Sequence, residues 1–244
     1  MKHMMRITPA LALAAALALA GPAAAQTLKE LPFDKQLTLA KVGDVDAQFE
    51  VGLAYEQGTG VEPDEAEAAR WFRQAALQGN VEAQYHLARL VARGAKGLKQ
   101  DLGTAVKLYQ DAAAKGHGPA MNALGQAYQQ GKGTDQDMAK AAEWYAKAAE
   151  QGLPDAQNNL GMLYLEGKGV ARDLNRAFKL FGDAAAKNDP WGLNNLGGMH
   201  EMGWGTTVDK PRALALYRQA LAAGNPKAQQ NIDRLEKEAA VPAD

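Results

Sequence analysis

The 244-residue sequence contains no cysteine and no serine. Without cysteine there is no disulfide framework, no thiolate metal site, no cysteine nucleophile and no cysteine for a lipid anchor. Without serine, every serine-nucleophile mechanism is excluded. Neither sign of charge dominates, with 27 Lys+Arg against 28 Asp+Glu. A duplex-binding surface needs clustered cations to displace counterions, so this balance argues against nucleic acid as a partner. Aromatics are sparse at 7%, and the histidines beyond the N-terminus, His86, His117 and His200, fall in no ligand spacing. What is abundant is alanine, in a chain that is 47% hydrophobic.

Long apolar runs are also missing, with one exception at the N-terminus. Lys2 and Arg6 open a basic start, Ile7–Ala20 is apolar apart from Thr8 and Pro9, and Ala23-Ala24-Ala25 offers small residues for cleavage. Residues 1–25 therefore read as a secretory signal peptide, cut after Ala25. The run is too short for a comfortable membrane span, which needs about 20 residues. With no cysteine for lipidation, the mature chain is expected to be periplasmic, not a lipoprotein and without a membrane span; secretion beyond the envelope stays open.

The remainder is periodic. A turn glycine recurs at Gly58, Gly94, Gly131, Gly167 and Gly203, in steps of 36, 37, 36 and 36. A second follows at Gly60, Gly97, Gly133, Gly169 and Gly205, so the odd step is one inserted residue at Ala95-Lys96. Asp64, Asp101, Asp137, Asp173 and Asp209 keep the same offsets, as do the helix-ending positions Gly43, Gly79, Gly116, Gly152, Asn188 and Gly224. Ala47, Val51, Ala54 and Tyr55 form one apolar helical stripe, which the G-x-G turn ends because glycine accepts positive φ. Asp64 then caps a second helix carrying Ala68, Trp71, Phe72 and Ala75, with Glu67 completing a box-like signature. Gly52, Ala88, Gly125, Gly161 and Gly197 recur mid-helix, where glycine costs about 1 kcal/mol against alanine; the spacing predicts a close backbone approach there. One such helix pair cannot bury its apolar face alone, so the pairs are expected to stack around a shared core. The boundaries read as 26–45 for an N-terminal segment with a capping helix, then five repeats at about 46–81, 82–118, 119–154, 155–190 and 191–226. A capping helix and tail follow over 227–244.

Segments such as DAQFEVGLAYEQGTGVEPDEAEAARWFRQAALQGN and DAQNNLGMLYLEGKGVARDLNRAFKLFGDAAAKND resemble the Sel1-like repeat family, relatives of the tetratricopeptide repeats. The alanine, the Leu-Gly pair, G-x-G and the aromatic pair recur in order across five units. The resemblance implies an all-α fold, a right-handed α-solenoid that binds proteins or peptides. Some bacterial relatives are extracytoplasmic regulators or host-interaction proteins. One cysteine-rich branch is linked to β-lactam binding, and this chain, lacking Cys and Ser, departs from it.

Two constellations mimic other chemistry. The G-x-G turns follow helices, whereas a dinucleotide fingerprint needs a preceding strand and a third glycine. Met199-His200-Glu201-Met202 has a composition copper(I) accepts, but His200 stands where Tyr55, Tyr128 and Tyr164 stand and so reads as core. No cofactor and no metal is expected.

In such an array, binding residues are exposed on the first helices and vary between repeats. At 100° per residue, the stripe opposite Ala47, Val51 and Tyr55 holds the equivalents of positions 49, 53 and 56. The candidates along the concave groove are Phe49, Leu53, Tyr85, Arg89, Asn122, Gln126, Asn158, Met162 and Asn194, with Glu56, Gln129 and Glu201 in the third column. Asn122, Asn158 and Asn194 form a ladder able to pair with a ligand backbone, or alternatively bond within the scaffold. Phe49, Tyr85 and Arg89 give a stacking end. Trp191 and Trp204 break the repeat pattern and form a candidate second patch, or cover the C-terminal cap. The function expected is a non-enzymatic interaction module for an unidentified protein or peptide, a periplasmic regulator or scaffold of an envelope complex. The rivals are a cell-envelope enzyme acting on cell-wall material through carboxylates, and a secreted host-interaction protein.

Overall fold

The computed structural model describes residues 28–94 and 97–240; the expected signal peptide and the insertion at Ala95-Lys96 lie outside the described residues. Among those residues the regular structure is helical, a short 3-10 turn at Leu28–Glu30 followed by twelve α-helices. The opening helix is α1 (Phe33–Lys41). The first helices of successive repeats are α2 (Val45–Gln57), α4 (Val81–Arg93), α6 (Gly118–Gln130), α8 (Pro154–Glu166) and α10 (Pro190–Met202). Their second helices are α3 (Glu65–Leu77), α5 (Leu102–Ala114), α7 (Met138–Glu150), α9 (Leu174–Ala185) and α11 (Lys210–Ala222), and α12 (Ala228–Ala240) closes the chain. Contacts divide these helices into two compact units, one through His117 and one from Gly118. Within each unit, consecutive helices pack in sequence, the α-solenoid architecture.

The turns explain the period. Gly58, Gly167 and Gly203 take φ of 75°, 69° and 67° and end their helices in the left-handed conformation. The capping aspartates then act twice. Asp64 accepts from the amides of Ala66 and Glu67, and its own N–H reaches back to the Tyr55 carbonyl at 2.9 Å. Asp173 and Asp209 repeat both bonds, accepting from Arg176 and Arg212 and donating to Tyr164 and His200. One residue type thus starts the second helix and ties the turn to the first. At two of the turns the second glycine has a further reason. A Cβ on Gly169 would sit 2.2 Å from the Met138 carbonyl oxygen, and one on Gly205 2.6 Å from that of Leu174. These turns are seated on the preceding repeat's second helix.

The mid-helix glycines face a ring rather than the backbone expected of them. A Cβ on Gly52 would come within 2.6 Å of the Phe72 ring, and Gly125, Gly161 and Gly197 stand the same way to Tyr145, Phe181 and Tyr217. Phe72, Tyr145 and Phe181 are completely buried as a result. Around them lie three clusters of buried side chains: one on Leu39, Ala47 and Val51, one on Tyr145, Leu160 and Leu163, and one on Phe181, Leu196, Met199 and Tyr217. On α12 the glycine column carries Asp233, exposed to solvent, and the tyrosine column carries Glu236. Ile232 and Leu235 remain buried against α11, so α12 covers the core with one face and shows a charged one outward.

Candidate functional site

On the first helices the solvent-facing columns are those of Asp46 and Gln57, with the column of Leu53 exposed or half-buried between them. This corrects the expected stripe of positions 49, 53 and 56 at two of its three columns. Positions 49 and 56 lie 40° to 60° further round the helix from Leu53 by the 100° rule, where side chains of the repeat's own second helix and of the next first helix meet them. In the first unit Glu56 accepts from His86 Nδ1 at 2.9 Å, across a repeat. In the second, Tyr145 donates to Gln129 at 2.6 Å, and Tyr217 donates to Glu201 at 2.8 Å. Glu201 also takes both guanidinium arms of Arg234 on α12. Leu53, Arg89, Gln126 and Met162 occupy the middle of the observed stripe; Arg89 and Gln126 are exposed, Leu53 and Met162 half-buried.

In the second unit the asparagines form cross-repeat pairs. Asn159 Nδ2 donates to Asn122 Oδ1 at 3.1 Å, Asn195 to Asn158 at 2.7 Å, and Asn231 to Asn194 at 3.0 Å. Asn122, Asn158 and Asn194 therefore bond within the scaffold through their oxygens. The Nδ2 groups of Asn122 and Asn158 make no protein hydrogen bond among the described residues, and neither is buried without a partner. The second column, Asn159, Asn195 and Asn231, was not among the expected residues. Its signal in the sequence is the doublet Asn158-Asn159, repeated at Asn194-Asn195.

In the first unit the same two columns carry Phe49 with Glu50 and Tyr85 with His86, three rings and a carboxylate. Phe49 packs on Phe72 at 5.8 Å and on His86 at 5.5 Å, so the cross-repeat contact there is aromatic. Tyr85 touches Tyr109 at 6.0 Å and His117 at 4.8 Å, with the Arg89 guanidinium 5.8 Å from its ring centre. Phe49 and Tyr85 are half-buried in this cluster, and Arg89 is its exposed member.

The two odd tryptophans separate. Trp191 is 41% exposed on α10, with Lys227 Nζ 5.4 Å from its ring centre. Trp204 lies half-buried against the C-terminal cluster of Leu196, Met199 and Tyr217. In Met199-His200-Glu201-Met202, Met199 is 1% exposed, His200 stacks edge-on to Phe178 at 5.3 Å and Glu201 is bound as above. No group of three or more His, Asp or Glu suited to a metal ion occurs among the described residues.

The hydrogen bond from His86 holds the Glu56 carboxyl below the usual carboxylate range, and Arg234 does the same for Glu201. Burial raises the Glu50 and Asp189 carboxyls. Each has a structural partner, Lys29 at 3.8 Å for Glu50 and the Gly192 amide at 2.6 Å for Asp189. Neither lines the cleft of about 320 Å³ beside Trp71, whose walls include Lys41, Glu67 and Arg70.

The sequence matches the Sel1 repeat family over residues 45–80, 81–117, 118–153, 154–189 and 192–225. The chain belongs to the Sel1 repeat family. Sel1 repeats are protein-interaction modules. Among solved structures, a protective antigen of uropathogenic Escherichia coli with this fold is 33% identical over 89% of the chain, with a TM-score of 0.79. The chain spans about half of that antigen's length, 46%. A Sel1 repeat protein from Oxalobacter formigenes is 30% identical over 86% of the chain and 81% of its own, with a TM-score of 0.77. An immunity protein of Pseudomonas aeruginosa shares the fold at 18% identity, with 96% of this chain and 88% of that one aligned and a TM-score of 0.52. No curated protein is similar to the chain at a significant level. None of the helices among the described residues is long and apolar enough to cross a membrane.

Proposed function

We propose that this Sel1 repeat protein is an exported, non-enzymatic interaction module. Its first-helix face in the second unit binds an extended segment of a partner protein. One observation carries the reading: the asparagine pairs fix a row of amides across successive repeats while leaving the Nδ2 donors of Asn122 and Asn158 unused. Amides held by their own scaffold are pre-organised, so they donate to a peptide carbonyl with little further ordering cost. The stripe beside them carries Gln126, Gln130, Met162 and Trp191, with Asp155 and Glu166 as carboxylates on α8, so most of it is uncharged, which suits main-chain recognition. First helices stacked roughly 10 Å apart across α6, α8, α10 and α12 span a segment of about nine extended residues. Export rests on the leader pattern of residues 1–25, and the similarity to a protective antigen is consistent with a location in or beyond the envelope.

Selection of a displayed library of unstructured peptides tests this. Asn122→Asp and Asn158→Asp keep an acceptor for the neighbouring amide and remove the outward donor. With each hydrogen bond contributing about 1 kcal/mol, the double variant should weaken every selected peptide by roughly thirtyfold whatever its sequence. Unchanged affinities would remove the ladder from the site. For export, the mature protein from an osmotic-shock fraction should begin at Gln26; retention of Met1 in the cell interior contradicts it.

A further inference from the structure

The exposed stripe of α10 contains a glycine that packing does not require. Gly198 occupies the column of Leu53, Arg89, Gln126 and Met162, where every other repeat has a side chain. A Cβ built on Gly198 would meet only the Tyr217 hydroxyl, at 3.5 Å, an ordinary contact. The adjacent Gly197 is different, since its Cβ would come 2.8 Å from the Tyr217 ring. The glycine at 197 is thus needed by the core, and the one at 198 leaves a recess in the outer face at the expense of helix propensity.

What surrounds the recess has a specific chemistry. One turn toward the N-terminus are Asn194 and Asn195, both held in the asparagine pairs. The Met162 sulfur lies 3.7 Å from Asn195 Nδ2, so its thioether stands beside the recess from α8. One turn toward the C-terminus are Glu201, 9% exposed, and Met202, 55% exposed. The Glu201 carboxylate is occupied by Tyr217 and Arg234, and the Arg234 side chain, 44% exposed, is fixed at the rim from α12. The neighbours of Gly198 along this face are thus the Met162 thioether, the Asn194 and Asn195 amides, the ion-paired Arg234 on the next helix and, one turn on, the exposed Met202.

We propose that the recess over Gly198 receives an aromatic side chain of the bound segment. Thioether sulfur meets ring edges favourably, and a guanidinium is attracted to the negative face of a ring. An acidic side chain would find its cation already neutralised by Glu201, and a basic one would find the Glu201 carboxylate already paired. The proposal rests on the first-helix face of the second unit being the binding surface and gives that face its one side-chain selector, while the asparagine amides hold main chain.

The test uses capped amino acids as probes on the full mature chain, read by ¹⁵N–¹H NMR. N-acetyl-phenylalaninamide should give saturable shifts of the Gly198 amide and the Asn194 and Asn195 side-chain amides; N-acetyl-leucinamide and N-acetyl-glycinamide should give much smaller ones. Gly198→Leu, which supplies the side chain that Leu53 has in the first repeat, should weaken the aromatic probe by at least about tenfold. Gly198→Ala should weaken it less. The spectrum of each variant reports that the fold is kept, since the amides of α7 and α9 should not move. Equal shifts with all three probes, or an unchanged titration in Gly198→Leu, would overturn the proposal. Library peptides that depend on Asn122 and Asn158 but carry no aromatic preference defeat this inference alone. Aromatic binding at Gly198 without any selected peptide defeats the extended-segment reading and leaves the recess standing.

Discussion

Glycine inside a helix costs roughly 1 kcal/mol against alanine, and in this chain Gly125 and Gly198 separate the reasons for accepting that cost. At Gly125 a methyl would come 2.6 Å from the Tyr145 ring, and that ring is fully buried. Gly125→Ala should therefore lose about 1–3 kcal/mol by overpacking, seen as a lower urea midpoint with an unchanged slope. Gly198→Ala should keep its midpoint or gain up to about 1 kcal/mol, because the methyl meets only the Tyr217 hydroxyl. Equal losses at the two positions would contradict the packing account. The sequence shows both glycines and cannot rank them, since the ring that decides the matter lies some twenty residues further along. Glu201 gives a second prediction at this scale. Arg234, ahead of Tyr217, depresses its folded-state pKa below the unfolded carboxylate value. Its contribution is fully present above that value and is lost as pH falls through the depressed one. Glu201→Gln should lower stability at neutral pH and flatten the decline on acidification from about pH 5, measured as urea midpoint against pH.

At the scale of the element, the caps were legible and the face was not. Each second helix begins at an aspartate whose role follows from spacing alone, and the geometry adds the return bond from its N–H to the first helix. Asp173→Ala should cost about 1 kcal/mol, the contribution of the cap alone, because alanine keeps the N–H that donates to Tyr164; thermal unfolding reads this directly. The exposed stripe was displaced by about 40° to 60° for a physical reason. A helical wheel drawn on one helix knows only its own apolar side, whereas Glu56, Gln129 and Glu201 are covered by partners outside that helix. The asparagine ladder shows the same limit, since Asn159 and Asn195 pair with residues 37 positions back. Asn195→Ala leaves the Asn158 oxygen without its donor. It should cost about 1 kcal/mol and raise hydrogen exchange in α8 and α10, with the amides of α2 and α4 unchanged.

For the whole molecule, repeat number and fold class were readable because the period is written four times over, in turn glycines, capping aspartates, helix ends and aromatic pairs. A stack of this kind gains its core from nearest neighbours, so a local lesion spreads little and surface columns are free to vary. That freedom is where function resides: the columns carrying rings and charges in the first unit carry amides in the second. The partner itself is not encoded in those columns, only the chemistry that would hold it. The central claim, that the first-helix face of the second unit engages another protein, is tested most directly by photocrosslinking in the source cells. A reactive residue at Gln126, exposed on α6, is compared with one at Glu143, exposed on the second helix α7 of the same repeat. The account predicts a discrete adduct with one protein from Gln126 and none from Glu143. Equal labelling from both positions, or none from Gln126 in a folded and exported protein, would contradict it.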